Sequence, residues 1–557
     1  MSIDCGRELY VSSQILHGKQ LYRDVMYVYG PVAPYFNALL FWSFGVRLEV
    51  LYWAGSLSGL LSGLLLYATG KRLGLAIAGC GAGAVVIVQG FGPFIFSYPL
   101  AYSFAAVYGF ALSVFFLWCI IHTRDSDWRG WLCFASLAAA CVFLLKLEIG
   151  FACYTALGAG IAGRLMLRSD RGAFARDLLA TLPGVLIASV TAAILVYAYG
   201  FVFLTQQNIM SWPSSYFMKT YGQLWLANSG LSFKPRLLAA DIVKSAVLAG
   251  TFASAGLFLK RRSGRRILLR IGWAALGVTG YLSFRQNWGW ANRLLRFVGF
   301  PSFMPLFVAL CAGIALAYFW KARDSERLAF ALLLFFSTVF GFRILLACAP
   351  FNYPIFYNGP AVLSFLALSS YVVLWNTGAS GAVRRSVQSL LAAGSVVVAL
   401  AQLYDSHRQT ANRTPLVTQH GTISIPRSKA AAYANAIAFM ESAAEHGKTV
   451  LALPEEMGLY FFSGTECPTR VYQFAPGVVA PGKMMDDVIR EIETKRVDYL
   501  LWSTRDFSVY GVRTFGVDYD QKLATYLRSH YHQTGYVSPI QDTWKAAVWQ
   551  RNAGGSD

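Results

Sequence analysis

The chain has 557 residues, 56% hydrophobic and 15% aromatic, with a mean hydropathy of +0.46. Only 14% are charged, against roughly 25% in an ordinary soluble domain, so a water-soluble fold has nowhere to put this apolar surface. The net charge of +20 does not mark a nucleic-acid binder, because many Lys and Arg residues sit in short loops between apolar spans and no basic soluble module is present. The nine cysteines include no C-x-x-C pair. Most, such as Cys80, Cys119 and Cys153, read as small apolar residues within spans.

Residues 1–47 come first. They hold Asp4-Cys5-Gly6-Arg7-Glu8, His17-Gly18-Lys19, Leu21-Tyr22-Arg23-Asp24 and Tyr29-Gly30-Pro31. An amphipathic stretch from Val32 to Phe44 then predicts a helix lying along the membrane interface. Apolar spans follow near 48–69, 73–91, 99–121, 131–146, 149–164, 177–203, 237–259, 269–284, 299–319, 328–346, 361–375 and 386–404. They predict about twelve transmembrane helices across 48–404. The spacing Gly55-x-x-x-Gly59-x-x-x-Gly63 suits close helix packing.

One alternate set of loops is rich in Lys and Arg: Lys71-Arg72, Arg124 and Arg129, Arg164 to Arg176, Lys260 to Arg270, Lys321 to Arg327 and Arg384-Arg385. The positive-inside rule makes these cytoplasmic. The N-terminal segment, the 204–236 and 347–360 loops and the tail are then expected outside, at the periplasmic or extracellular face of an inner (plasma) membrane. An outside N-terminal segment either translocates unaided or calls for a helix ahead of it that the chain lacks through a late start, and the second is the expectation. The tail, 405–557, reads as a small soluble α/β domain with strands near 449–453, 498–503 and 545–550 and helices near 484–496 and 519–530. The expected fold class is therefore a mainly α polytopic bundle with a small C-terminal extramembrane α/β domain.

Three places carry candidate chemistry. A carboxylate among Asp4, Glu8 and Asp24 would sit close to the membrane and partly desolvated, which raises its basicity and suits it to take a proton from a hydroxyl. The same residues also suit a solvated terminal loop with ordinary ion pairs. Lys146-Leu147-Glu148 lies at the outer junction of two spans. Lys146 could hold a phosphate as a point charge, or the pair could simply mark a short turn. Arg285, Arg293 and Arg296 flank Trp288-Gly289-Trp290, a pattern that fits a polyprenyl-phosphate site or an interfacial anchor. Trp212 to Tyr216, with Lys219, could wall a sugar cleft. Asp125-Ser126-Asp127, Asp518-Tyr519-Asp520 and Gly79 to Gly83 mimic sugar-nucleotide, metal or dinucleotide motifs but lie in a short turn, at a helix start and within a span, and are read as structural.

The strings D-x-G-R-E at residues 4–8, L-x-G-K-x-L-Y-R-D-V at 16–25 and Y-G-P-x-x-P-Y at 29–35 resemble the first outer loop of bacterial GT-C glycosyltransferases. That superfamily includes protein O-mannosyltransferases and the aminoarabinose transferases that modify lipid A. The resemblance implies an acidic base or acceptor organiser at Asp4, with Arg7 as its basic partner and Glu8 and Asp24 as further acids. Tyr29, Tyr98, Lys146, Glu148, Arg285, Arg293 and Arg296 are expected around the substrate. It implies transfer of a sugar from a polyprenyl-phosphate-linked donor to a hydroxyl on a lipid, glycan or protein acceptor, among membrane lipids and with no nucleic acid. The second acidic residue of many relatives is missing from the loop Phe91 to Pro99, where Asp24 or Glu148 could substitute, and a divalent metal is possible but not indicated. The rival expectation is a transporter or flippase of a lipid-linked glycan, with charges deep in its helices and inverted repeats.

Overall fold

The computed structural model describes residues 3–91, 97–99, 101–122, 127–168, 171–209, 235–259, 262–285, 304–322, 324–341, 359–375, 381–508, 512–538 and 544–553. Two short helices lead, α1 (Ile3–Leu16) and α2 (Val32–Phe44). The apolar helices follow as α3 (Leu48–Arg72), α4 (Ala76–Gly90), α5 (Phe104–Ile120), α6 (Trp128–Leu145), α7 (Leu147–Arg168) and α8 (Arg171–Tyr199). After the short α9 (Phe201–Gln207) come α10 (Pro235–Leu259), α11 (Arg262–Arg285), α12 (Met304–Ala322), α13 (Ser325–Phe340), α14 (Gly359–Trp375) and α15 (Gly381–Thr410). Each expected span overlaps one of these helices, with ends that differ by up to seven residues among the described ones.

Among the described residues, α3, α6, α7 and α8 are long and apolar enough to cross a membrane, and shorter apolar helices such as α4 and α5 stand with them. The chain is a multi-pass membrane protein. Burial sorts the helices. α5 is apolar all round and buried on nearly every face, from Phe104 through Val107, Phe110, Val114 and Leu117, as a central helix must be. α8 leaves Leu186, Val190, Ile194 and Tyr197 exposed, a surface suited to lipid. α2 buries Ala33, Asn37, Ala38 and Phe41 and exposes Tyr35, Phe36, Leu39 and Trp42, so it is apolar on both faces and lacks the polar face that the expected amphipathic helix would carry.

The glycine spacing in α3 does what small residues allow. A Cβ on Gly55 would lie 1.9 Å from the Tyr98 carbonyl oxygen, and one on Gly59 2.4 Å from the Tyr98 ring. Gly79 belongs to the same packing, because a Cβ there would meet the Leu66 and Tyr67 carbonyls of α3 at 2.8 Å.

The C-terminal unit begins with an antiparallel hairpin, β1 (Arg413–Thr418) and β2 (Gly421–Pro426). It continues through α16 (Arg427–Glu445), β3 (Val450–Leu453), α17 (Met457–Ser463), α18 (Lys483–Thr494), β4 (Tyr499–Ser503), α19 (Gln521–His530), β5 (Tyr531–Tyr536) and β6 (Ala546–Arg551). The sheet order is β3-β4-β6-β5, with β3 and β4 parallel and the other pairs antiparallel. α16 buries Ala432, Ala436, Ile437, Met440 and Ala443, a stripe at helical spacing.

The N-terminal segment and this unit lie against each other. The Cys467 amide donates to the Tyr10 hydroxyl at 2.9 Å, and the Tyr472 hydroxyl donates to the Met26 carbonyl at 2.6 Å. A Cβ on Gly6 would come 2.4 Å from the Gly458 nitrogen, so α1 and α17 touch backbone to backbone. The hairpin meets the head of α3, where the Leu48 amide donates to the His420 carbonyl at 2.8 Å and the Thr422 amide to Glu49 at 3.1 Å. Residues 3–47 and the tail therefore share one side of the membrane. Cys5 and Cys467 are both free thiols.

Candidate functional site

α1 ends where its sequence stops favouring helix. Gly18, at φ +83°, donates to the Ile15 carbonyl at 3.1 Å while Lys19 donates to Gln14 at 3.1 Å, a glycine-based helix stop. The following loop is pinned. Tyr22 is a non-glycine residue at φ +70°, held there by its amide bond to Val25 at 2.9 Å and by its hydroxyl on the Tyr29 carbonyl at 2.8 Å. Gly30 then meets the α6–α7 junction: its amide donates to Leu145 at 3.1 Å, and a Cβ at Gly30 would lie 1.9 Å from the Leu144 carbonyl oxygen. Only glycine fits that approach.

The junction itself is Lys146, extended at φ −153° and ψ 108° between two helices. Its carbonyl restarts the helix by accepting from Ile149 and Gly150, and Gly150 lets α7 fold back on α6, since a Cβ there would meet the Phe143 Cα at 2.4 Å. Lys146 is 3% exposed, and a buried ammonium demands partners. It donates to the Tyr102 hydroxyl at 2.8 Å, lies 3.3 Å from Glu148, and sits 5.1 Å and 5.4 Å from the ring centres of Tyr29 and Tyr102.

Arg7 reaches the same two tyrosines from α1. Its Nη2 donates to the Tyr102 carbonyl at 2.7 Å, and its guanidinium stands 5.2 Å from the Tyr29 ring centre. Arg7 Nε also donates to Glu8 at 3.2 Å. The Glu8 carboxylate is fully partnered, accepting further from the Tyr27 hydroxyl at 3.0 and 3.2 Å and from the Phe104 amide at 3.1 Å. Burial pushes the Glu8 carboxyl above its ordinary range, against the opposing pull of Arg7 and these hydrogen bonds. Burial also drives the Tyr27 hydroxyl well above its ordinary value.

Of the residues singled out in the sequence, Arg7, Glu8, Tyr29, Lys146 and Glu148 thus come together where α1, α5, α6 and α7 meet. Asp4 lies in the first turn of α1, three residues before Arg7, with its side chain outside the described residues. Asp24 stands apart in an exposed turn, where it accepts from Arg23 at 2.9 Å and from the Gln20 amide at 2.8 Å. Arg23 is the main cause of its lowered pKa. Tyr98 is fully buried in the α3 groove at Gly55 and Gly59, a packing position. Arg285 ends α11 with its side chain outside the described residues, and Arg293, Arg296, Trp212 to Tyr216 and Lys219 lie outside them entirely. The Asp518 carboxylate accepts from the Arg513 and Thr514 amides at 2.8 Å, a turn-forming role.

Tyr102 and Tyr27 are the members that sequence reasoning missed. The run Ser103-Phe104-Ala105-Ala106 offered a signal for the first, because Ser103 caps α5 by accepting the Ala106 amide at 3.4 Å and so fixes Tyr102 at the helix entrance. Tyr27 carried no signal beyond its place in a tyrosine-rich turn.

Fold and site together define a multi-pass helical membrane protein with a buried arginine–lysine–tyrosine cluster at one membrane face, covered by an α/β unit. No family model matches the chain, and no curated protein does. Among solved structures, it is similar to the Archaeoglobus fulgidus oligosaccharyltransferase AglB in complex with an inhibitory peptide and a dolichol-phosphate, at 13% identity and a TM-score of 0.47, over 98% of this chain and 70% of that one. It is similar to ArnT from Cupriavidus metallidurans bound to undecaprenyl phosphate, at 13% identity and a TM-score of 0.43, over 99% and 94%. Likeness at this level is one of general architecture and says nothing of activity.

Proposed function

We propose that the chain is a membrane-embedded glycosyltransferase of the GT-C type, moving a sugar from a polyprenyl-phosphate donor to an acceptor hydroxyl at the non-cytoplasmic face. One observation carries the reading: Arg7 and Lys146, two buried cations, converge on Tyr29 and Tyr102 beside the helical turn that bears Asp4. Cations held in a desolvated site stabilise negative charge far better than they would in water. The Asp4 carboxylate takes the acceptor's proton, and the freed oxygen attacks the anomeric carbon. The bond from that carbon to the phosphate oxygen breaks, and its electron pair leaves with the phosphate toward Lys146 and Arg7. A single displacement inverts the anomeric centre.

The sequence resemblance over residues 4–37 supports this assignment of Asp4. The test is Asp4→Asn in protein reconstituted with a polyprenyl-phosphate sugar and acceptor lipid. Transfer should fall by about 10²-fold or more with melting unchanged, in line with the worth of a general base. Undiminished transfer overturns the role of Asp4, and movement of the labelled donor across the bilayer without any transfer favours the flippase reading instead.

A further inference from the structure

The C-terminal unit encloses a cavity of about 130 Å³ between the β1–β2 hairpin, α16 and α17. Its apolar lining is made of Leu416, Ile423, Ile425, Ile437, Leu459 and Phe462, and polar side chains complete the wall. Two acids border it, but their oxygens are occupied elsewhere. Glu455 pairs with Arg505 at 2.8 Å and accepts from Gln473 at 2.6 Å. Glu456 accepts from Ser503 at 2.8 Å, the Trp544 indole at 3.1 Å and Tyr433 at 3.3 Å.

Arg413 and Lys429 also line the cavity. Arg413 makes one 3.4 Å bond to the Ser424 carbonyl, and among the described residues neither cation is in an ion pair. Glu456 is held by neutral donors alone, so two unpaired cations face one unpaired carboxylate and the lining is net positive, beside its apolar residues.

We propose that the cavity binds a small anionic amphiphile, its apolar end among Ile423, Ile425 and Phe462 and its phosphate or carboxylate on Arg413 and Lys429. The size sets the class: a dry cavity of similar volume lined by Leu, Ile and Phe holds benzene, so the apolar end has about six carbons. Charge-assisted bonds from Arg and Lys select the anionic head. Position adds a consequence. Gly458, which lines the cavity, touches Gly6 of α1, so an occupant lies one helix away from Arg7 and Glu8.

The experiment uses the full chain in nanodiscs of neutral lipid, with hexyl phosphate as probe and hexanol as the uncharged control. Saturable binding of hexyl phosphate, at least tenfold weaker in the Arg413→Gln/Lys429→Gln double variant and absent in Ile425→Trp, supports the site. The double variant leaves the apolar wall intact, so it remains informative if the tryptophan variant fails to fold. Equal binding to wild type and double variant, or equal binding of hexanol, overturns the proposal. Competition by anionic lipid added to the nanodisc would identify the bilayer as the natural source, and its absence a water-borne ligand; either follows only from a site that has first bound the probe.

Discussion

Lys146 and Glu148 lie 3.3 Å apart, yet the lysine is 3% exposed and the glutamate 37%. The pair thus has an inside and an outside end, and its two members should respond differently to mutation. Lys146→Met removes the buried charge and should cut transfer by about 10²–10³-fold, the loss seen when a positioned electrostatic group is deleted. Glu148→Gln removes an exposed partner and should cost less than about tenfold. Measured kcat and KM for a polyprenyl-phosphate sugar check both. Equal losses would mean that the ion pair, and not the ammonium alone, serves the reaction.

Glu8 separates scaffold from base. Its carboxylate is 1% exposed and already accepts from Arg7, Tyr27 and Phe104, so its oxygens are turned to the protein and not to a substrate. Glu8→Gln turns an amide N–H toward Arg7 or Tyr27, and breaking such a buried pair costs about 3–5 kcal/mol. The expected result is a lower Tm and reduced activity with the acidic limb of the pH–rate profile unmoved. Disappearance of that limb would instead identify Glu8 as the base.

Gly30→Ala places a methyl group 1.9 Å from the Leu144 carbonyl oxygen, where only backbone could yield. The loop carrying Tyr27 and Tyr29 must then lift from the α6–α7 junction. Transfer should be lost almost completely. Gly18→Ala, at φ +83° with open space around it, should cost only about 1 kcal/mol and keep activity. Thermal melting and single-turnover assays of the two variants provide the comparison.

Asp520 gives a pH dependence. It precedes α19 at φ +51°, its Oδ2 is buried without a hydrogen-bond partner among the described residues, and burial pushes its carboxyl up to about 8. The unfolded chain releases that proton near pH 4, so between about pH 4 and 8 the folded state binds more protons. Its contribution to stability therefore declines as pH rises through that window and is level above it. Asp520→Asn should flatten the decline, matching wild type near pH 4 and melting several degrees higher near pH 8. Parallel Tm–pH curves for the two proteins would show that Asp520 titrates normally.

Much of the architecture was legible because apolar length and periodicity report directly on which segments are helices. The strands at 450–453, 499–503 and 546–551 were visible for the same reason, as short apolar runs between helical patterns. The β1–β2 hairpin, α16, α17 and β5 were missed. Arg413–Pro426 mixes Thr, Ser and His with its isoleucines, and the alanine-rich α16 has a weak apolar stripe. Within the site, Lys146 could be singled out as a charge that a membrane protein would not bury idly, and Arg7 and Tyr29 by the resemblance of the N-terminal strings. Their meeting on Tyr102 could not, because it depends on how α5 starts relative to α1, a tertiary relation with no local signature. The same gap explains Tyr98, whose loop position suggested substrate while the glycines of α3 in fact hold its ring.

The contact between Tyr10 and Cys467 spans almost the whole chain. During synthesis, Tyr10 must therefore wait for its partners Tyr460, Cys467 and Tyr472 until the last quarter of this polypeptide has been made and delivered to the same compartment. A product cut short by a premature stop would carry every apolar span and still leave the first helix bare.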